Sequence, residues 1–198
     1  MKLYYVPKTR ATRARWMLEE LGVPYELVRL EPGRETRTRE HLERQPLGHV
    51  PVLEDAEQRI FESAAICLYL ADKYPEKRLV PPMGSPGRGL VYQWLFFAMT
   101  ELEPPLAALS AENRKPAAER SASAAAEAKE RFGRAAAALE PVLANGPFLL
   151  GDFGVADVVV GAVLAWGKSI GALEKLPTVE AYVARLLERP AWRRARAD

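Results

Sequence analysis

Between Tyr74 and Gly87 the chain changes its pattern, and that change limits the folds open to it. Before the break, short runs with strand and helix periodicity alternate; after it, every periodic run is helical. The break itself reads Tyr74-Pro75-Glu76-Lys77-Arg78 and then Val80-Pro81-Pro82-Met83-Gly84-Ser85-Pro86-Gly87. Proline and glycine at that density deny the segment regular structure. A length of 198 residues accommodates two small domains. The expected organisation is a first domain over residues 1–78, a linker over 79–87 and a second domain over 88–198.

In the first part, Lys2 to Val6 is rich in strand-forming residues, and Pro7-Lys8-Thr9 supplies a turn. Helical spacing follows, with Ala14, Met17, Leu18 and Leu21 on one face and Gly22 as the stop. Tyr25 to Leu30 alternates as a strand. A charged, partly helical stretch leads to Pro46-Leu47-Gly48. Pro51 to Glu54 and Arg59 to Phe61 then read as two strands around a polar turn. Ser63 opens a helix with Ile66, Cys67, Leu70 and Tyr74 inward. The order is β-α-β-α-β-β-α, with the first two strands parallel and the last two a hairpin.

In the second part, Val91, Trp94, Leu95, Ala98 and Leu102 share a helical face until Pro104-Pro105 bends or ends the helix. Pro116 to Ala144 is dense in alanine, with Phe132, Ala136, Leu139 and Leu143 as a stripe and Asn145-Gly146-Pro147 as the stop. Val155 to Trp166 is apolar all round, which predicts a central buried helix. Asp157 stands three residues after Gly154, the spacing of a capping box, so its carboxylate is expected to accept the Gly154 NH. Thr178 to Glu188 and a short piece around Trp192 complete an all-helical bundle.

Several function classes drop out. The formal charge is +2, from 28 basic and 26 acidic residues, too balanced for a nucleic-acid surface. The arginines between Arg34 and Arg44 alternate with glutamates, as on a solvated, ion-paired face. A single cysteine, Cys67, allows no internal disulfide and fits a reducing compartment; its place on an inward helical face marks it as a small buried hydrophobe. The N-terminus enters a strand at once, without a secretory leader, and the longest apolar run is too short for a bilayer and carries Asp157. A cytoplasmic protein without a membrane partner is expected. Two histidines and one cysteine make no metal cluster. Gly167-Lys168-Ser169 has the end of a phosphate loop, but Ala162 occupies the place of its upstream glycine.

Four motifs in order carry a resemblance. They are Pro7 to Trp16 with Leu18-Glu19-Glu20-Leu21-Gly22-Val23-Pro24-Tyr25-Glu26, then Pro46-Leu47-Gly48-His49-Val50-Pro51-Val52-Leu53, then Phe61-Glu62-Ser63-Ala64-Ala65-Ile66, and last Leu149-Leu150-Gly151-Asp152 with Ala156-Asp157. Together the chain resembles the cytosolic glutathione transferases over nearly its whole length, in particular their bacterial serine-type members. The resemblance implies a thioredoxin-like N-terminal domain that holds glutathione and a helical C-terminal domain that shapes the pocket for a small hydrophobic electrophile. It also implies a homodimer, glutathione as co-substrate, and either conjugation or peroxide reduction.

The ligand's chemistry assigns the candidates. Glutathione has two carboxylates, an ammonium and a thiol. The resemblance implies a cis bond between Val50 and Pro51, presenting the Val50 backbone to the peptide as an added strand would. Ser63 is expected as the N-cap of its helix, where free NH groups and the helix dipole favour the γ-glutamyl carboxylate, with Glu62 at the ammonium. At the glycine end stand His49 and Gln45, while His41 is read as solvent-facing. The thiol belongs where the first strand meets the first helix. There Thr9 falls at the place of the activating serine, with Thr12, Arg10 and local backbone NH groups as the alternatives. Arg10 replaces the cysteine of cysteine-type members, and Ala11 stands where a second serine is common. Trp94, Phe97, Ala98 and Thr100 are the candidates for the second-substrate pocket, a wall that suits apolar ligands. A non-catalytic relative acting in protein association is the other reading; an isomerase of maleylacetoacetate lacks its Ser-Ser-Cys turn at Lys8-Thr9-Arg10.

Overall fold

A computed structural model describes residues 1–197 in two compact units: Met1–Val80 together with the chain from Glu188 onward, and Pro81–Leu187. The first unit holds β1 (Lys2–Tyr5), α1 (Ala11–Leu21), β2 (Glu26–Arg29), α2 (Arg39–Arg44), β3 (Val52–Asp55), β4 (Gln58–Phe61) and α3 (Ser63–Lys73). The β-α-β-α-β-β-α order of a thioredoxin-like domain is thus present. The sheet runs β2-β1-β3-β4, with β1 parallel to β2 and antiparallel to β3, and β3 antiparallel to β4. Burial explains the patterning. Leu3 and Leu53 pair across β1 and β3, and they are buried together with Met17, Leu18 and Leu21 of α1 and Ile66, Cys67 and Leu70 of α3. Removing that apolar area from water is the main stabilising term. Burial also pushes the Cys67 thiol up to about 12, so it stays protonated and serves as packing.

The end of the chain, read from sequence with the helical half, packs on α1 instead. The helix α10 (Pro190–Ala195) sets Trp192 edge-on against Trp16, with ring centroids 4.8 Å apart. Arg189 donates two hydrogen bonds to Glu20, at 2.6 and 2.8 Å, and Arg194 donates to Glu19 at 2.6 Å.

The second unit is helical: α4 (Pro86–Phe97), α5 (Glu103–Arg114), α6 (Ala122–Ala137), α7 (Glu140–Leu143), α8 (Val155–Ser169) and α9 (Pro177–Leu187). Pro104 and Pro105 do not simply end the helix before them. A π-helical turn over Ala98–Leu102 follows α4, and the prolines fall in the first turn of α5, where a missing NH costs little. The stripe Phe132, Ala136, Leu139 and Leu143 is buried as its spacing predicts. Gly167, on α8, lies against this stripe: a Cβ there would stand 2.5 Å from Phe132 Cζ. That close approach accounts for the glycine that sequence alone compares with a phosphate loop. No helix among the described residues is long and apolar enough to cross a membrane.

The candidate glutathione site

The loop after α2 is built on two polar side chains. Gln45 is buried, and its Oε1 accepts the NH groups of Leu47 at 2.7 Å and His49 at 2.9 Å. His41, expected to face solvent, is buried instead; its Nε2 lies 2.9 Å from the His49 carbonyl. A carbonyl only accepts, so Nε2 carries the hydrogen. The correction has a simple cause: α2 is short, and its inner side has to hold the loop that follows. Gly48 has φ +64°, and a Cβ there would stand 2.5 Å from the Thr36 carbonyl oxygen. The Val50–Pro51 bond is cis, as the resemblance implied. Neither backbone group of Val50 has a hydrogen-bond partner among the described residues. The exposed His49 ring stands beside it.

At α3 the structure revises the expectation for Ser63. The N-cap position belongs to Glu62, at φ +72°, whose side chain makes no capping bond; Ser63 is the first helical residue. Its hydroxyl is turned inward and accepts from Arg13 Nη1 at 3.2 Å. Both residues are buried. The Glu62 conformation makes the corner between β4 and α3, and for a non-glycine residue such a backbone costs on the order of 1–3 kcal/mol. The Ile66 NH bonds the Glu62 carbonyl, while those of Ser63, Ala64 and Ala65 have no acceptor among the described residues. An open helix start with a buried guanidinium beside it is suited to an anion.

Arg13 escaped the sequence reading. Its signal was there: an arginine in the apolar stripe formed by Ala14, Met17, Leu18 and Leu21. A cation on a buried face needs polar partners, and one of them here is Ser63 of α3, fifty positions along the chain.

At the start of α1, the Thr9 hydroxyl donates to the Val6 carbonyl at 2.7 Å and accepts the Ala11 NH at 3.2 Å. These bonds tie Thr9 into the turn before α1 and occupy the hydroxyl hydrogen. Arg10 is exposed at the N-cap position, and Thr12 is half-buried with no hydrogen bond to its hydroxyl among the described residues. Trp94, Phe97, Ala98 and Thr100 lie on α4 and the π turn of the second unit. Trp94 and Ala98 are buried, Phe97 meets Trp94 edge-on at 5.6 Å, and the Thr100 hydroxyl turns back to the Phe96 carbonyl. No group of three or more His, Cys, Asp or Glu side chains that could hold a metal ion occurs among the described residues.

Comparison with known proteins bears on this geometry. The family model described as glutathione S-transferase, N-terminal domain, matches residues 1–72, and the corresponding C-terminal domain model matches residues 91–190. Glutathione S-transferase 4 of Zea mays is 33% identical over 192 residues, covering 91% of this chain and 84% of that protein. Glutathione S-transferase GstA of Escherichia coli O157:H7 is 28% identical, covering 96% and 94%. Among solved structures, the ternary complex of BphK, a bacterial GST, superposes with a TM-score of 0.88 at 30% identity, covering 100% of this chain and 98% of that one. A theta class glutathione S-transferase from Xanthomonas axonopodis pv. citri with glutathione bound superposes at 0.86 and 27% identity, covering 100% and 97%.

Proposed function

The chain belongs to the glutathione S-transferase family, and from that premise we propose how its residues divide the reaction. It is a glutathione transferase, with glutathione as co-substrate. In our reading the peptide backbone of glutathione pairs with the NH and C=O of Val50, beside Pro51. The γ-glutamyl carboxylate takes the NH groups at the start of α3 and the Ser63 hydroxyl. Because Ser63 Oγ already accepts from Arg13, its own hydrogen is available to the ligand. Glu62 meets the ammonium, and His49 with the Gln45 amide nitrogen serves the glycine end.

The sulfur is assigned to the first turn of α1. Thr9 is read as part of the turn before that helix, since its hydroxyl is held by Val6 and Ala11. That leaves Thr12 and Arg10 as donors to the thiolate. Lowering a thiol pKa from about 8.5 by roughly 2 units raises the thiolate fraction at pH 7 some ~25-fold. Lower intrinsic nucleophilicity takes back about tenfold of this. Positioning of the electrophile therefore contributes at least as much. We assign its apolar part to Trp94, Phe97, Ala98 and Thr100, and the reaction to conjugation of a small hydrophobic electrophile or reduction of a peroxide. A homodimer in the cytoplasm completes the reading.

The observation that carries it is the open start of α3: three NH groups without acceptors, next to the buried Arg13–Ser63 bond. Titration calorimetry with glutathione and turnover of chlorodinitrobenzene test the whole. Neither binding nor turnover would defeat it. Within it, Thr9→Val is expected to lower thermal stability and leave the thiolate titration of bound glutathione in place, whereas Thr12→Val moves that titration to higher pH. The reverse pattern returns the donor role to Thr9. Light scattering near twice 22.0 kDa tests the dimer.

A further inference from the structure

His49 is gripped on both sides of its backbone from within the first unit. Gln45 Oε1 accepts its NH at 2.9 Å, and His41 Nε2 donates to its carbonyl at 2.9 Å. The His41 side chain is buried, and its Nδ1 has no hydrogen-bond partner among the described residues. The bond to the His49 carbonyl is therefore the one hydrogen bond of that ring there. An apolar side chain would fill the same space; the donor is what histidine adds. The helix that carries the ring is itself tied to the sheet. Arg44 of α2 donates to Glu54 of β3 at 3.1 Å, and Glu54 accepts the hydroxyl of Tyr4 in β1 at 2.8 Å. The Tyr4 ring stands beside that of His41, with centroids 6.4 Å apart.

The carbonyl of His49 and the NH of Val50 belong to one planar peptide unit. That unit is trans, since Val50–Pro51 is the cis bond among the described residues. In a trans unit the C=O and the N–H point in opposite directions. A carbonyl drawn inward to buried His41 thus turns the Val50 NH outward, where it has no acceptor among the described residues. A carbonyl that accepts a hydrogen bond also polarises the NH across the same unit and strengthens it as a donor. We propose that His41 is a positioning residue for glutathione: it does not touch the co-substrate, but it aims the Val50 NH at a carbonyl of the glutathione backbone. The inference deepens the transferase reading above and rests on it. His41 takes no part in the chemistry at the sulfur; it sets how well the co-substrate is held.

The test pairs two variants with a spectrum of the wild type. His41→Met removes the donor and keeps an apolar filling. His41→Gln sets an amide nitrogen the same number of bonds from the backbone as Nε2. Calorimetry with glutathione and rates with chlorodinitrobenzene are measured on the full chain. His41→Met is expected to raise the Kd and the KM for glutathione about tenfold, as loss of one well-aimed hydrogen bond does. Its kcat at saturating glutathione stays within about twofold of wild type, the pattern of lost binding rather than lost chemistry. His41→Gln restores most of the affinity. In the wild type, nitrogen NMR is expected to show the His41 hydrogen on Nε2, and saturating glutathione to slow exchange of the Val50 amide with solvent. A His41→Met protein that is less stable yet binds glutathione as the wild type does overturns the inference and leaves His41 as packing. A loss that His41→Gln does not rescue, or a fall in kcat with KM unchanged, overturns it too. If His41→Met does not fold, the wild-type spectrum decides: slowed Val50 exchange with the hydrogen on Nε2 supports the inference, and unchanged exchange or a hydrogen on Nδ1 overturns it. These outcomes leave the transferase standing so long as the wild type binds glutathione. A wild type that neither binds nor turns over defeats the transferase reading, and the inference with it.

Discussion

Two helices of this protein begin in opposite ways. At the start of α8 a buried carboxylate ties down the entry to the helix: Asp157 accepts the Gly154 NH at 2.9 Å, the Leu149 NH at 3.0 Å and the Tyr182 hydroxyl at 2.8 Å, with none of its surface exposed. At the start of α3 the NH groups of Ser63, Ala64 and Ala65 are left open, and the corner residue Glu62 holds a left-handed backbone without capping anything. Both helices need their first NH groups satisfied. In α8 the third helical residue turns its carboxylate back to the NH of Gly154, the residue before the helix; in α3 no side chain does so, and in the reading proposed above the γ-glutamyl carboxylate of glutathione takes that place. On that proposal, the contrast separates a helix entry tied down by its own chain from one left for a ligand. On the same proposal, the buried Arg13 adds positive charge where the carboxylate comes.

The contrast is most severely tested at Asp157. Asp157→Ala strands three donors, two of them in buried hydrogen bonds, so it should lower unfolding stability by about 3 kcal/mol. The denaturant midpoint reads this, while the folded fraction should bind glutathione as the wild type does. An unchanged midpoint would mean that the start of α8 is held by something other than its cap.

Ser63→Ala should behave in the opposite sense. If the proposed assignment holds, it removes a hydrogen bond to the ligand carboxylate as well as the one from Arg13, costing roughly 1.5–3 kcal/mol of glutathione affinity. Loss of stability should be the smaller effect. Arg13→Met should weaken glutathione binding too, and the double variant should lose less than the sum, since the two side chains act through one bond. Additive losses would separate Arg13 from the ligand site.

The smallest expected effect is in pH. Burial pushes the Asp157 carboxyl above the usual carboxylate range, against the pull of the Leu149, Tyr182 and Gly154 donors. A folded pKa raised above the unfolded value means that the folded state binds the proton more tightly. Stability from this group therefore rises as pH falls through the raised folded value toward the unfolded one near ~3.9. Asp55 goes the other way. Hydrogen bonds from Lys73 and Tyr69 hold it low, so its contribution is present above its unfolded value and is lost as pH falls through the folded one. Denaturant curves at stepped pH should show wild type gaining on Asp157→Asn as pH falls toward the unfolded carboxylate value. A gap that narrows instead would show that the three donors outweigh burial.

What could be read in advance depended on how far apart the interacting residues lie in the chain. The order of elements along the chain, the buried character of α8 and the Gly154–Asp157 bond follow from patterns within a few residues, and the parallel first pair and the final hairpin follow from the connections between neighbouring elements; the place of β1 beside β3 does not. The site was half legible. Motif resemblance pointed to the Val50–Pro51 loop, whose bond is cis, and to the Glu62–Ser63 corner, but Ser63 is the first helical residue and not the N-cap, and only the fold brings Arg13 to its hydroxyl. His41 was misjudged for the same reason: on a short, charged helix nothing local marks the side that must hold the following loop. The edge-on packing of Trp192 on Trp16 and the grip of Arg189 on Glu20 join the two ends of the chain. No periodicity encodes contacts of that range. They are decided when the helix faces are buried, since a polar group that loses water must then bond whatever the fold has placed beside it.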